Sequence, residues 1–521
     1  MPIAYSRSNR FTSVCFVCIA LLSLPETGFS LFFDGTGHYS LKTEVQTAPS
    51  SSKDRGMHSA TEQSFRLEGE ARVHDKSSFF LELRLFDKPR DAYLGDESRE
   101  PNQNTSFPAY KDFTLKASKA YMRYAFDYCI LEAGRRGRDW GLGLLLDSGK
   151  RPFSQFNSVF DGVTCDVNTQ KFQTLGFLFG FDQLSETGSA TPNSVTPDEH
   201  WGPSNLSDDI QQFFFAINYD DRKVSSPLSW SKEIAIYAAN IKSKYIHTDL
   251  SFVDLYSDFA SSQLRFKNEF IFRLGKTGDL NSARLGGAYE AQGEEAVNKM
   301  QTIALAGNVE WTFQGTNDKS QSTSWRKFGD SSYPRQSSTR HLFLADYTYA
   351  PGDSDGYYAD KKGDPLIGIQ NRDSSTAALA LHPNYKPALI LFNGRSESDD
   401  LRVDGVFESN QVVNSQIYSL GYRYESSSSG TLESKLLYAL LNGSIPDKAK
   451  AYYADQNNKP IGFYGQDLGF ELDVRYWIPL SDDTLFGASA GALFPGSAWR
   501  RTAEDNRSTN ILFQAFVNFD L

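Results

Sequence analysis

The sequence predicts an all-β fold: one antiparallel transmembrane β-barrel of about 18 strands, following an N-terminal signal peptide. Three observations predict it. Stretches of about 10 residues alternate apolar and polar side chains, as a tilted membrane strand requires. Short and long connections alternate between those stretches. The sequence ends in TNILFQAFVNFDL, where Ile511, Phe513, Ala515, Val517, Phe519 and Leu521 share one face. This resembles the terminal signal read by barrel-assembly machinery, although Leu521 stands where Phe is usual.

In chain order, residues 1–30 read as the signal peptide. Arg7 and Arg10 precede an apolar run from Phe11 to Leu24, Pro25 breaks it, and Gly28-Phe29-Ser30 offers a cleavage site. That run is too short for a membrane helix, which needs about 20 residues. Cys15 and Cys18 leave with it, and the net charge passes from −11 to −12 as Arg7, Arg10 and Glu26 are lost.

Residues 31–521 read as the barrel. Its strands are expected near 37–47, 63–73, 78–86, 113–126, 129–138, 159–167, 171–181, 210–220 and 232–241. The second half continues near 248–258, 263–273, 301–313, 341–350, 411–425, 430–441, 464–478, 484–494 and 509–521. Leu264 to Arg273 illustrates the pattern: Phe266, Phe270 and Phe272 oppose Arg265, Lys267, Glu269 and Arg273. A soluble sandwich shares this period, so parity alone does not separate the two folds. The connections discriminate better. Those at 74–77, 127–128, 168–170, 259–262, 426–429 and 479–483 are short. Those at 87–112, 139–158, 182–209, 274–300, 351–410 and 442–463 are long, as outer loops are in such barrels. The connections 314–340 and 242–247 break the rule.

Composition fits a barrel. Aromatics reach 14%, with 39 Phe and 26 Tyr, while hydrophobic residues are only 40%. Only alternate residues meet lipid, and aromatic girdles mark the interfaces. The acidic balance argues against a nucleic-acid binder, which normally shows a basic patch. Seven scattered histidines suit no metal, and no cofactor motif or nucleophile with its base is present, so no enzymatic activity is expected. Asp353, Asp355 and Asp360 resemble the start of a calcium loop, but an Asp-Gly turn accounts for them without metal.

The candidate solute path lies at 119–138. KAYMRYAF sets Lys119, Tyr121 and Arg123 on one face, and LEAGRRGR sets Glu132, Gly134, Arg136 and Arg138 on the next. A basic ladder in a water-filled lumen favours anions and can bind carboxylates bidentately. Ionic bracing of the wall is the competing role, since acids such as Glu68, Glu82, Glu269, Glu471 and Asp473 roughly balance the inward bases. Cys129 and Cys165 fall near the same rim of neighbouring strands. They form either a cross-strand disulfide or two unpaired small hydrophobes.

The AYMRY strand, GRRGRDWG, the Gly-rich loop and FDGV, with DYTYAPGDSDG at Asp346 to Gly356, resemble the alginate-export porin family. The resemblance implies a monomeric barrel exporting an anionic polysaccharide by diffusion through an Arg-lined constriction. It points to Arg123, Arg136 and Arg138 as the solute-facing bases. The expected address is the bacterial outer membrane, with lipid and the assembly machinery as partners and a hydrophilic solute inside. An uptake porin, or a surface receptor barrel using loop 351–410, are the alternatives.

Overall fold

The structure is a computed structural model that describes residues 32–47, 57–85, 90–91, 116–150, 156–167, 174–185, 210–221, 230–243, 248–277, 298–314, 339–352, 375–376, 379, 381–382, 384–392, 412, 414–426, 429–442, 466–481, 483–499 and 509–521. Residues 1–31 and Asp353, Asp355 and Asp360 lie outside them, and with them the signal-peptide and calcium-loop expectations.

Eighteen long strands form one closed antiparallel sheet. They are β1 (Phe32–Thr47), β2 (Met57–His74), β3 (Ser77–Leu85), β4 (Lys116–Ala125), β5 (Ile130–Gly137) and β6 (Val159–Val167). Then come β7 (Leu175–Ser185), β8 (Ile210–Asp220), β9 (Ser231–Ser243), β10 (Thr248–Ala260), β11 (Leu264–Thr277) and β12 (Asn298–Gln314). The last are β13 (Arg340–Ala350), β14 (Ser415–Ser426), β15 (Gly430–Leu441), β16 (Asp467–Pro479), β17 (Thr484–Pro495) and β18 (Asn510–Asp520). Each strand pairs with its sequence neighbours, so the topology is a plain meander.

Closure joins the two ends of the barrel sequence. β1 pairs with β18 from His38↔Asp520 to Gln46↔Leu512. Leu521 N donates to Gly37 O (2.6 Å) and Gly37 N to Leu521 O (3.0 Å). On the outer face Tyr39 stacks on Phe519 at 6.2 Å, and on the inner face His38 Nδ1 meets Asp520 Oδ1 at 2.7 Å. Among the described residues the 18 barrel strands leave no open edge between them, which is what a sheet needs in hydrocarbon.

The question that parity left open is settled by burial. Phe79, Phe179, Phe213, Trp311, Phe343, Phe470 and Phe513 lie exposed on the outside, while their charged neighbours turn inward. A sandwich would show the reverse. This is an outer-membrane-type barrel with an apolar belt and a polar interior.

All 18 expected segments fall on observed strands, but several begin earlier. β2 starts at Met57 and β12 at Asn298. At 18 and 17 residues these exceed the ~9–11 needed to cross a bilayer. The added stretch of β2 carries polar residues on both faces, Ser59 and Thr61 on one and Glu62 on the other, so the sequence shows no alternation there.

Cys129 and Cys165 are joined by a disulfide, with Cα atoms 5.8 Å apart. Leu131 pairs with Cys165 in register, so the bridge runs diagonally beside the short turn before β5. It sits on the outer face at the short-turn end. Alkylation without reductant should therefore leave both thiols unlabelled. Cys129→Ser with Cys165→Ser should cost about 2–4 kcal/mol against unfolding in urea. Two labelled cysteines in the native protein would remove this bridge.

Candidate functional site: the lumen and its inward segments

Two segments fold into the barrel. The first, residues 138–150, follows β5; the second is described at 379, 381–382 and 384–392, between β13 and β14. The first begins where the sequence turns from alternation to WGLGLLL. Trp140, Leu144 and Leu146 are fully buried. A surface loop has no use for such a run; a segment inserted among walls does.

Walls and segments make two apolar clusters. Trp140 and Leu146 pack with Phe160, Leu178, Phe214, Ala235, Tyr237 and Tyr256 of β6–β10. Leu144 joins Leu379, Leu381 and Leu389–Phe392 of the second segment against wall residues including Ile271, Ile417, Leu437, Leu493 and Leu512. Leu142 and Leu145 touch both clusters. The segments meet directly. His382 N donates to Leu144 O (2.7 Å), and Asn384 Nδ2 to Asp147 Oδ1 (3.1 Å). Tyr385 shares a 2.6 Å hydrogen bond with Thr348, and burial holds its phenol above the usual range.

Charged wall residues fasten each segment. Glu269 of β11 accepts the N–H of Leu142. A Cβ on Gly141 would collide with that carboxylate, and Gly141 also has φ +56°, so only glycine lets the turn close here. On the opposite wall Glu471 of β16 accepts Leu389 N (2.8 Å), Ile390 N (2.6 Å) and Leu391 N (2.8 Å), and Asp473 accepts Leu389 N at 3.1 Å. Arg84 donates to Gly149 O (2.9 Å) and Arg66 to Lys150 O (2.7 Å).

The structure divides the six sequence-selected residues into two groups. Lys119, Arg136 and Arg138 are buried in ion pairs. Lys119 Nζ meets Glu82 Oε2 at 2.6 Å, beside Arg84 at 2.8 Å from Glu82 Oε1. Arg136 and Arg138 share Asp182 of β7, each at 2.9 Å. Gly162 makes this possible: a Cβ there would sit 2.6 Å from Asp182 Oδ1, so the FDGV glycine clears the way back across β6. Arg138 also lies over the Phe214 ring at 3.7 Å and donates to Tyr237 Oη at 3.1 Å. These bases hold the first segment and wall together.

Tyr121, Arg123 and Glu132 stay accessible. Tyr121 stacks on Phe80 at 5.0 Å. Arg123 opposes Glu132 in register, 3.9 Å apart, with their side chains 48% and 29% exposed. Neither apolar cluster reaches β1–β4, whose inward Lys42, Glu62, Arg66, Glu68 and Glu70 are partly exposed. Among the described residues, the lumen beside β1–β4 is thus lined by ionised side chains rather than by the apolar clusters, and partly exposed charges such as Lys267, Arg423 and Lys435 also line β11–β16.

Asp182 and Asp254 were missed in the sequence. Asp182 lies just past the expected end of its strand, and Asp254 is an isolated acid among apolar neighbours. The inward segments left a clearer signal, the runs LGLLL and ALILF inside supposed outer loops.

No family model and no curated protein matches the sequence. Among solved structures, the chain is similar to the outer membrane protein OprD from Pseudomonas aeruginosa, at 12% identity and TM-score 0.45, over 95% of each chain. OccAB4 from Acinetobacter baumannii is 12% identical with TM-score 0.45, over 94% of this chain and 98% of that one. A BenF-like porin from Pseudomonas fluorescens Pf-5 is 9% identical with TM-score 0.46, over 95% of this chain and 100% of that one. Scores this low carry no functional argument, which rests on the chain's own residues.

Proposed function

We propose that this protein is an outer-membrane porin-type channel that passes a hydrophilic, preferentially anionic solute by diffusion along the β1–β5 sector. The observation that carries the reading is the one-sided filling of the lumen. The apolar clusters built by the inward segments lie against walls from β6 to β18. The first segment meets β2 and β3 through Arg66 and Arg84, and ionised side chains face the space beside β1–β5. Narrowing by docked segments is how a wide barrel becomes selective, and a barrel serving only as a receptor has no need of it. The anionic preference is supported by the bonding pattern. Arg136 and Arg138 share the one Asp182 carboxylate, so that group holds one positive charge in excess. An alginate-like polysaccharide belongs to this solute class, as does a small carboxylate taken up from outside.

Purified protein in planar bilayers tests the reading. Conductance with an anion-favouring reversal potential is expected. Arg123→Ala should lower the anion preference a few-fold, since an exposed charge is worth up to about 1 kcal/mol. A silent bilayer overturns the channel, and a cation-favouring potential overturns the solute class. Liposome swelling with uronic acids of increasing length separates polysaccharide from small-solute passage.

A further inference from the structure

Asp254 on β10 and Glu269 on β11 are both fully buried beneath the first inward segment. They are diagonal neighbours on the inward face, Asp254 pairing with Ile271 and Tyr256 with Glu269, and neither Asp254 oxygen nor Glu269 Oε1 has a donor at hydrogen-bond geometry among the described residues. Two carboxylates are acceptors only, so their contact is a hydrogen bond only when a proton lies between them. No described ion pair joins either to a base. The surroundings bring none closer. Tyr237 of β9 lies opposite Asp254, and Tyr256 lies opposite Glu269. Trp140 of the first segment packs on Tyr237 at 5.4 Å, and its indole N–H is the donor that segment brings to this part of the wall; Tyr385 of the second segment is bonded to Thr348. The nearby cations are engaged elsewhere: Arg138 by Asp182, Lys267 by Glu310 at 3.4 Å, and Arg265 by Asp258 at 2.6 Å. Arg273 lies further along β11, opposite Phe252 and Thr302. Ala306 of β12 brings no charge.

We propose that Asp254 and Glu269 share one proton, and that this proton latches the first inward segment to the barrel wall, so the segment loosens as pH rises. Two like charges side by side in a dry site cannot both ionise. With the proton in place, Glu269 keeps an oxygen for the Leu142 N–H. When it leaves, two negative charges face each other under Trp140, and hydration is gained only by lifting the segment. The docked state thus holds a proton that the hydrated pair releases, and linkage makes docking weaken with rising pH. The pair at Glu471 and Asp473 differs: Asp473 has Arg475 at 3.9 Å and Lys435 opposite it, Glu471 accepts three backbone N–H groups, and Asp473 Oδ2 accepts one.

The gating part rests on the channel reading, so the test has two arms. In planar bilayers, the opening rate of the full-length protein should rise with pH, by up to tenfold per unit for one proton. Asp254→Asn keeps a donor toward Glu269 at every pH and should flatten that slope. A wild-type rate without pH dependence, or an unaltered slope in Asp254→Asn, overturns the latch. A slope that vanishes with EDTA would mean a bound divalent cation and also overturns it. The second arm needs no conductance. Infrared spectra at neutral pH should show a protonated carboxyl band that Asp254→Asn and Glu269→Gln both lose. Absence of the band in the wild type sinks the shared proton. The band present with a silent bilayer sinks only the channel reading.

Discussion

Asp182→Ala is expected to be the most damaging single change in the lumen, lowering stability by about 3–5 kcal/mol. The reason is that one carboxylate serves two buried guanidiniums. Arg136 and Arg138 have side chains only 5% and 6% exposed, and Asp182 lies 2.9 Å from each. Removing it leaves two positive charges in a dry site with each other as neighbours. Arg138 would retain the Tyr237 hydroxyl and the Phe160 and Phe214 rings, none of them a counter-charge. Arg136→Ala should cost less, because Asp182 would still be paired with Arg138. Urea unfolding from lipid vesicles, followed by tryptophan fluorescence, measures both. If Arg136→Ala is as costly as Asp182→Ala, the shared carboxylate is not the keystone. Asp127→Ala is the control, since its pairing with Lys76 at 2.9 Å joins two exposed turns, where an ion pair contributes little.

This prediction could not have come from the sequence, and the reason is physical. Barrel strands are legible because a period of two is imposed by lipid on one side and water on the other. Phe79, Leu81, Leu83 and Leu85 on β3 announce themselves in this way. Arg136 and Arg138 were legible as an inward ladder for the same reason. What alternation does not encode is which inward residue two strands away supplies the counter-charge. Asp182 bonds to residues 46 and 44 positions earlier, through a gap left by Gly162. A ladder seen without its counter-charge reads as a selectivity device; with it, three of the six residues become struts. Tyr121, Arg123 and Glu132 keep the exposure that a solute path requires. The inward segments have no period at all. Only their apolar runs, misplaced for surface loops, betrayed them.

Glu471→Ala is expected to act on the channel more than on the barrel. Its carboxylate accepts three consecutive backbone N–H groups, from Leu389, Ile390 and Leu391. Each buried donor left without an acceptor costs about 1–3 kcal/mol. Asp473 can serve Leu389 alone, so Ile390 and Leu391 lose their partners. The wall offers no replacement, because the facing residues of β15 and β17 are Leu437 and Leu493. Water does offer one. The segment's least costly response is to leave β16 and hydrate its backbone, while β15–β16–β17 pairing continues undisturbed. Conductance should therefore rise and become noisier, and the 384–392 segment should become open to protease. The urea midpoint should move less than for Asp182→Ala, since the barrel wall loses no ion pair. A Glu471→Ala channel with wild-type conductance would mean that the apolar contacts of Leu389–Phe392 alone hold the segment. A large loss of barrel stability would mean that segment and wall fold as one unit.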